Sequence, residues 1–349
     1  MSPPPSPPEA GAAAPGAPAG EGGRAQALLR QLEWTVIRRL DGLLQGDYRT
    51  LFRGGGIDLA DLREYQHADD VRHIDWNVTA RTTLPHVRVF TEDREMAAWF
   101  LLDLSPSVDF GSGAQSKRDV AARFTAVVSR LLTRHGNRVG AMLYDRGVEA
   151  VVPAGSGRRH VLHLLHQLVR PQAANVGNAG NTAGANPARL PEPGATRLRE
   201  LLDAAAGLVK RRSTLFVVSD FISEPGWELA LARLARRHEV VAVRLFDPIE
   251  LELPDLGLLT LRDAETGEQL LVDTHDKAFR HRFARIAAQR EAQLREGLAA
   301  ARVDTLELAT DDDLVDALVR FVDLRRRRTR LSGGSLPAHL ATRPAAEAA

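Results

Sequence analysis

From residue 96 to about 325, short apolar runs alternate with longer segments whose apolar residues recur at helical spacing. AAWFLLD (97–103), RVGAMLYD (138–145), STLFVVSD (213–220), EVVAVRLFD (239–247) and DTLELAT (304–310) read as strands buried on both faces. SKRDVAARFTAVVSRLLTRHG, RRHVLHLLHQLVR, ATRLRELLDAAAGLVKR, PGWELALARLARR and DKAFRHRFARIAAQREAQLREGLAAA read as helices between them. GVEAVVPA is expected to pair back on RVGAMLYD across Asp145-Arg146-Gly147, and LGLLTLRDAETGEQLLVDT to form a hairpin. Such alternation predicts an α/β fold, a mostly parallel sheet with helices on both faces. Ligands of these folds sit beyond the carboxyl ends of the strands.

The flanks differ. Residues 1–23 and 331–349 are rich in Pro, Ala and Gly and are expected to be disordered tails, and 171–194 a low-complexity loop within the α/β domain of 96–330. Residues 24–95 predict a separate N-terminal module of one helix followed by an irregular, partly β segment. Leu28, Leu29, Leu32, Val36, Leu40 and Leu43 mark the helix, and HVRVF a strand. The final helix opens on Asp311, Asp312 and Asp313 and closes on Arg325 to Arg328, an order that suits the helix dipole.

Composition excludes several chemistries. Without cysteine there is no disulfide, zinc ribbon, iron–sulfur cluster or thiol nucleophile. Lys+Arg 46 against Asp+Glu 45 gives no bulk charge that calls for nucleic acid or an anionic membrane. Neither a secretory signal nor a long apolar span is seen, so a cytoplasmic protein without a membrane span is expected. GSGAQSK (111–117) misses the phosphate-loop pattern, because Ser116 stands where glycine belongs and Arg118 follows the lysine. Lys117 is therefore expected to start a solvated helix. His160, His163 and His166 are expected to be partly exposed helix residues rather than ligands.

The first strand of the domain runs into Asp103, with Ser105 and Ser107 directly after it. Thr196 precedes a helix, and Asp220 ends a second apolar strand. These five supply only oxygen donors, the set that a small hard cation such as Mg²⁺ or Mn²⁺ takes. The alternative roles are structural: Ser and Thr before helices are common caps, and Asp at strand ends is common in α/β folds.

The D-x-S-x-S run of Asp103, Ser105 and Ser107, with Thr196 and Asp220, resembles the metal-ion-dependent adhesion site of von Willebrand factor A-type domains. The resemblance implies that these five residues hold the cation and that a protein partner's carboxylate completes its shell. Upstream, Arg63-Glu64-Tyr65, Asp69-Asp70, Arg72, Ile74-Asp75-Trp76, Thr79-Ala80-Arg81 and Glu92 to Glu95 resemble the signature of the bacterial "domain of unknown function 58" family. That resemblance implies a MoxR-type AAA+ ATPase as partner and an adaptor role, and leaves room for membrane-protein partners. Arg63, Arg72, Arg81 and Arg94 are placed to fork onto Asp69, Asp70, Asp75 and Glu64 as a structural ion-pair network. The reading is a non-enzymatic binding module without catalytic residues. One alternative is a metal-dependent hydrolase at the same cation, with Asp109 or Asp145 as base. Another is a metal-free cleft that serves only as a protein surface.

Overall fold

The computed structural model describes residues 21–37, 39–40, 59–66, 71, 74–82, 84–90, 97–169, 196–262 and 268–330. The expected tails (except residues 21–23), the 171–194 loop and the signature residues Asp69, Asp70, Arg72 and Glu92 to Glu95 lie outside these residues.

The central sheet joins β3 (Ala97–Asp103), β4 (Arg138–Tyr144), β5 (Val148–Gly155), β6 (Thr214–Ser219), β7 (Glu239–Phe246) and β10 (Asp304–Ala309) in the order β10-β7-β6-β3-β4-β5. All neighbours are parallel except β4 and β5. Continuous apolar runs make the inner strands β3, β4, β6 and β7 because helices cover both faces, whereas β5, at the edge, is largely exposed. On one face Phe100, Leu102, Phe216, Val218, Val243 and Leu308 pack with α3 (Lys117–Arg134), α4 (Gly157–Val169) and α9 (Leu314–Arg330). On the other, Leu101, Met142, Leu215, Val217 and Ala242 pack with α5 (Leu198–Leu208), α6 (Trp227–Arg237) and the end of α8 (Lys277–Ala301). Phe100 stacks on Phe216 at 5.0 Å, with Phe124 edge-on to both.

The N-terminal helix α1 (Glu21–Leu32) continues into a π-helical turn, Glu33–Ile37. Ala25, Leu29, Leu32, Val36, Ile37 and Leu40 are buried in the same core as α3 and α4. This helix therefore belongs to the α/β domain's own core. β1 (Leu59–Glu64) and β2 (His86–Phe90) form a separate antiparallel pair around α2 (Trp76–Thr82). Asp75 is buried and accepts from Val78 N at 3.3 Å, while Trp76 and Arg81 are exposed. The hairpin of β8 (Leu258–Arg262) and β9 (Gln269–Asp273) precedes α8.

Charged residues fix the helices to the sheet. Arg244 on β7 donates to Glu291 of α8 and to Glu307 of β10. Arg325 is buried, donating to Asp304 at 2.9 Å and to Glu239. The helix dipole is thus not the whole account of the terminal arginines: Arg325 ties α9 to the starts of β7 and β10.

Candidate functional site

The chain leaves β3 toward α3 on one face of the sheet and leaves β6 toward α6 on the other. Neighbouring strands whose connections part in this way open a crevice at their carboxyl ends, the usual ligand position of such sheets. Asp103 and Asp220 flank it.

Asp103 is fully buried. Its Oδ1 accepts from Ser105 N at 3.0 Å and its Oδ2 from the Ser219 hydroxyl at 2.6 Å. The Ser105 and Ser107 hydroxyls lie 3.2 Å apart, both buried. Burial, and then the nearby charge of Asp220, push the Asp103 carboxyl up to about 6, against the bonds from Ser219 and Ser105. Among the described residues Asp103 has no ion-pair partner. Thr196 is also buried, and its carbonyl accepts from the Ser223 hydroxyl and Glu224 N. The cap position of α5 is Arg197, and Leu198 N is served by Ser223, so Thr196 is not the helix cap.

Asp220 differs from Asp103. Its Oδ2 accepts from Lys117 Nζ at 2.8 Å and its Oδ1 from Ile222 N at 3.0 Å. Lys117 Nζ also reaches Glu250 Oε1 at 2.7 Å. The expectation of a solvated Lys117 is corrected here: the residue does start α3, but its side chain has no exposure at all. Burial works to lower its pKa, and the charges of Asp220 and Glu250 outweigh that and hold it above the usual value.

A third strand end lies beside these two. Asp247, after β7, is buried and accepts from Ser112 N (2.8 Å), Ser112 Oγ (2.6 Å), Thr310 Oγ1 (2.7 Å) and Ile249 N (3.0 Å). It also caps the short helix α7 (Pro248–Leu251) in a capping box with Glu250. The glycine-rich 111–116 loop is therefore a strap bound to Asp247, and it sets the start of α3. Gly111 is packed so closely that a Cβ would stand 2.4 Å from Gln115 O and 2.7 Å from Ser116 Cα, whereas Gly113 faces open space. Gly111→Ala is expected to destabilise by about 2 kcal/mol and lower the melting midpoint by several degrees. Gly113→Ala should melt as wild type, and a common effect of both would refute the packing account.

Sequence reading missed Lys117, Ser219, Asp247 and Glu250. The D-P-I-E box after an apolar strand was a visible sign of Asp247 and Glu250. Nothing local marked Lys117 as buried. The rival hydrolase's Asp109 is paired with Arg118, which also donates to Leu104 O at 2.7 Å. His163 is exposed, and His160 Nε2 lies 2.6 Å from Val139 O.

The donor set fits a hard cation at Asp103, Ser105 and Ser107: a buried carboxyl without a positive partner among the described residues, beside two converging hydroxyls. Asp220 fits less well as a direct ligand, because the Lys117 ammonium already neutralises it, whereas both partners of Asp103 are uncharged donors. Among the described residues no group of three or more His, Cys, Asp or Glu is placed to hold a metal, so hydroxyls must supply much of any shell.

The family model described as "Protein of unknown function DUF58" matches residues 61–293. The chain belongs to the DUF58 family. Uncharacterized proteins of Mycobacterium tuberculosis (strain ATCC 25618 / H37Rv) and Mycobacterium bovis are each 38% identical to this DUF58 chain over 301 residues, 86% of this chain and 90% of theirs. Another, of Mycobacterium avium, is 35% identical over 176 residues, 50% of this chain and 94% of that one. Similar solved structures include the conserved hypothetical protein BatB of Bacteroides thetaiotaomicron, at 13% identity and TM-score 0.39, covering 66% of this chain and 99% of that chain. The SpRpn10 VWA domain matches at 15% identity and TM-score 0.33, covering 64% and 93%. The fold assignment, von Willebrand A-like, rests on the sheet order and on the D-x-S-x-S loop at the end of β3. Among the described residues no helix is long and apolar enough to cross a membrane.

Proposed function

We propose that this DUF58 protein is a non-enzymatic adaptor whose crevice receives an acidic side chain of a protein partner through a divalent cation, Mg²⁺ or Mn²⁺. The observation that carries the reading is Asp103: a buried carboxyl with no positive partner among the described residues, beside the Ser105 and Ser107 hydroxyls. When bound, the cation would supply positive charge with part of its shell open to a carboxylate. Asp103, Ser105 and Ser107 would hold it. Ser219 orients the Asp103 carboxyl, and Thr196 lies buried on the neighbouring loop. The family resemblance suggests a MoxR-type AAA+ ATPase as partner, with the adaptor serving assembly or activation of a target complex.

The test is a thermal melt of the full chain in EDTA, Mg²⁺ and Mn²⁺, wild type beside Asp103→Ala. An ion present at a hundred times its Kd stabilises by about 2.7 kcal/mol. A metal-dependent rise in wild type that is lost in Asp103→Ala is the expected result. An equal rise in both proteins would refute the site.

A further inference from the structure

Lys117 is one of three lysines in the chain, and it is wholly enclosed. A buried ammonium is tolerated only when paired, and this one is paired twice, with Asp220 at 2.8 Å and Glu250 at 2.7 Å. Phe110 lies 5.9 Å from its Nζ. Its place is set by structure on both sides: the Ser112–Asp247 strap fixes the loop before it, and the Ser116–Asp119 capping box fixes the helix it starts. Glu250 in turn accepts from Asp247 N at 3.0 Å, so the ammonium's second partner is held by the same strand end.

We propose that Lys117 is a built-in counter-cation that keeps Asp220 and Glu250 from the divalent ion, leaving a one-carboxylate site that binds its ion weakly alone and tightly together with an acidic ligand. This rests on the reading of Asp103, Ser105 and Ser107 as ion ligands. The reason is charge balance. An ion facing two free carboxylates is already neutralised. An ion facing Asp103 alone keeps a surplus positive charge, which a ligand's carboxylate then satisfies. Ion and ligand thus strengthen each other's binding by the same factor. Lys117 is in this sense a specificity-determining residue: it selects for an anionic partner by taking the second carboxylate out of play.

The experiment is Mn²⁺ titration of the full chain, followed by electron paramagnetic resonance, in chloride and in acetate at equal ionic strength. Wild type is compared with Lys117→Met, with Lys117→Met/Glu250→Gln and with Asp103→Asn. Wild type should bind Mn²⁺ at least ten-fold more tightly in acetate than in chloride. Lys117→Met, with Asp220 released, should bind at least ten-fold more tightly than wild type in chloride and gain little from acetate. The double variant, which also removes the half-buried Glu250 charge that Lys117→Met leaves unpaired and so lowers the risk of misfolding, should do the same. Unchanged Mn²⁺ affinity in both Lys117 variants, with binding abolished in Asp103→Asn, would overturn the role of Lys117 and leave the ion site standing. No Mn²⁺ binding by any variant in either salt would overturn the ion site and this proposal with it.

Discussion

Asp247→Ala should destabilise the protein by about 4 kcal/mol and lower its melting midpoint by roughly 10 °C, the largest loss expected from any single polar substitution near the crevice. The carboxylate is fully buried and accepts four hydrogen bonds, from Ser112 N and Oγ, Thr310 Oγ1 and Ile249 N. Truncation strands the buried Thr310 hydroxyl, at a cost of about 1–3 kcal/mol, and also removes the cap of α7 and the anchor of the 111–116 strap, whose exposed Ser112 can turn to water. Burial works to raise the pKa of Asp247, and the bonds from Ser112, Thr310 and Ile249 outweigh it and hold the carboxyl below 3.8. A depressed carboxylate contributes stability above its unfolded pKa and loses it as the pH falls through the folded one. The difference between wild type and Asp247→Ala should therefore be constant at neutral pH and shrink only below about pH 4. Denaturant unfolding at pH 7 and pH 3.5 measures both. Equal losses at the two values would show that the fold depends on the shape of Asp247 rather than on its charge.

The opposite sign is expected at Asp103. Its folded pKa, about 6, lies above the ordinary 3.8. The native state therefore favours the protonated form, and stability is greatest below the unfolded pKa and declines as the pH rises through about 6. A shift of roughly two units corresponds to about 3 kcal/mol, all of it borne at pH 8. In EDTA at pH 8, Asp103→Asn should therefore be at least as stable as wild type, and more stable by up to this amount. The advantage should vanish by pH 4. Saturating Mn²⁺ should reverse the order, because a cation beside Asp103 removes the penalty of ionising it. Chemical denaturation from pH 4 to 8 reads the sign directly. A wild type more stable than Asp103→Asn in EDTA at every pH would refute the strain assigned to this carboxylate.

Much of this protein is legible along the chain. The parallel sheet follows from apolar runs too continuous for a strand with a wet face, and the hairpin of β4 and β5 from Asp145-Arg146-Gly147 between RVGAMLY and VEAVVPA. The D-x-S-x-S loop falls at the crevice because Asp103 ends the sheet's first strand, and Asp220 falls beside it because it follows β6, the neighbour of β3. Local pattern carries this information, since burial on both faces and the end of a strand leave their mark within a few residues.

Lys117 was legible only in part. The sequence places it at a helix start, which is right, and a charged residue at a helix start is ordinarily solvated. What encloses it comes from positions 220 and 250, more than a hundred residues away. Arg325 is a second case, since the terminal arginine run is locally sufficient as a complement to the helix dipole, yet its first member is buried against Asp304 and Glu239. The sequence alone determined the layers of the fold, the order of its elements and the oxygen donors at the end of β3. Only the tertiary structure decided which carboxylate has a counter-charge among the described residues and which has none there. Periodicity records whether a residue faces a core, whereas pairing of buried charges depends on which distant strand ends the sheet order brings side by side.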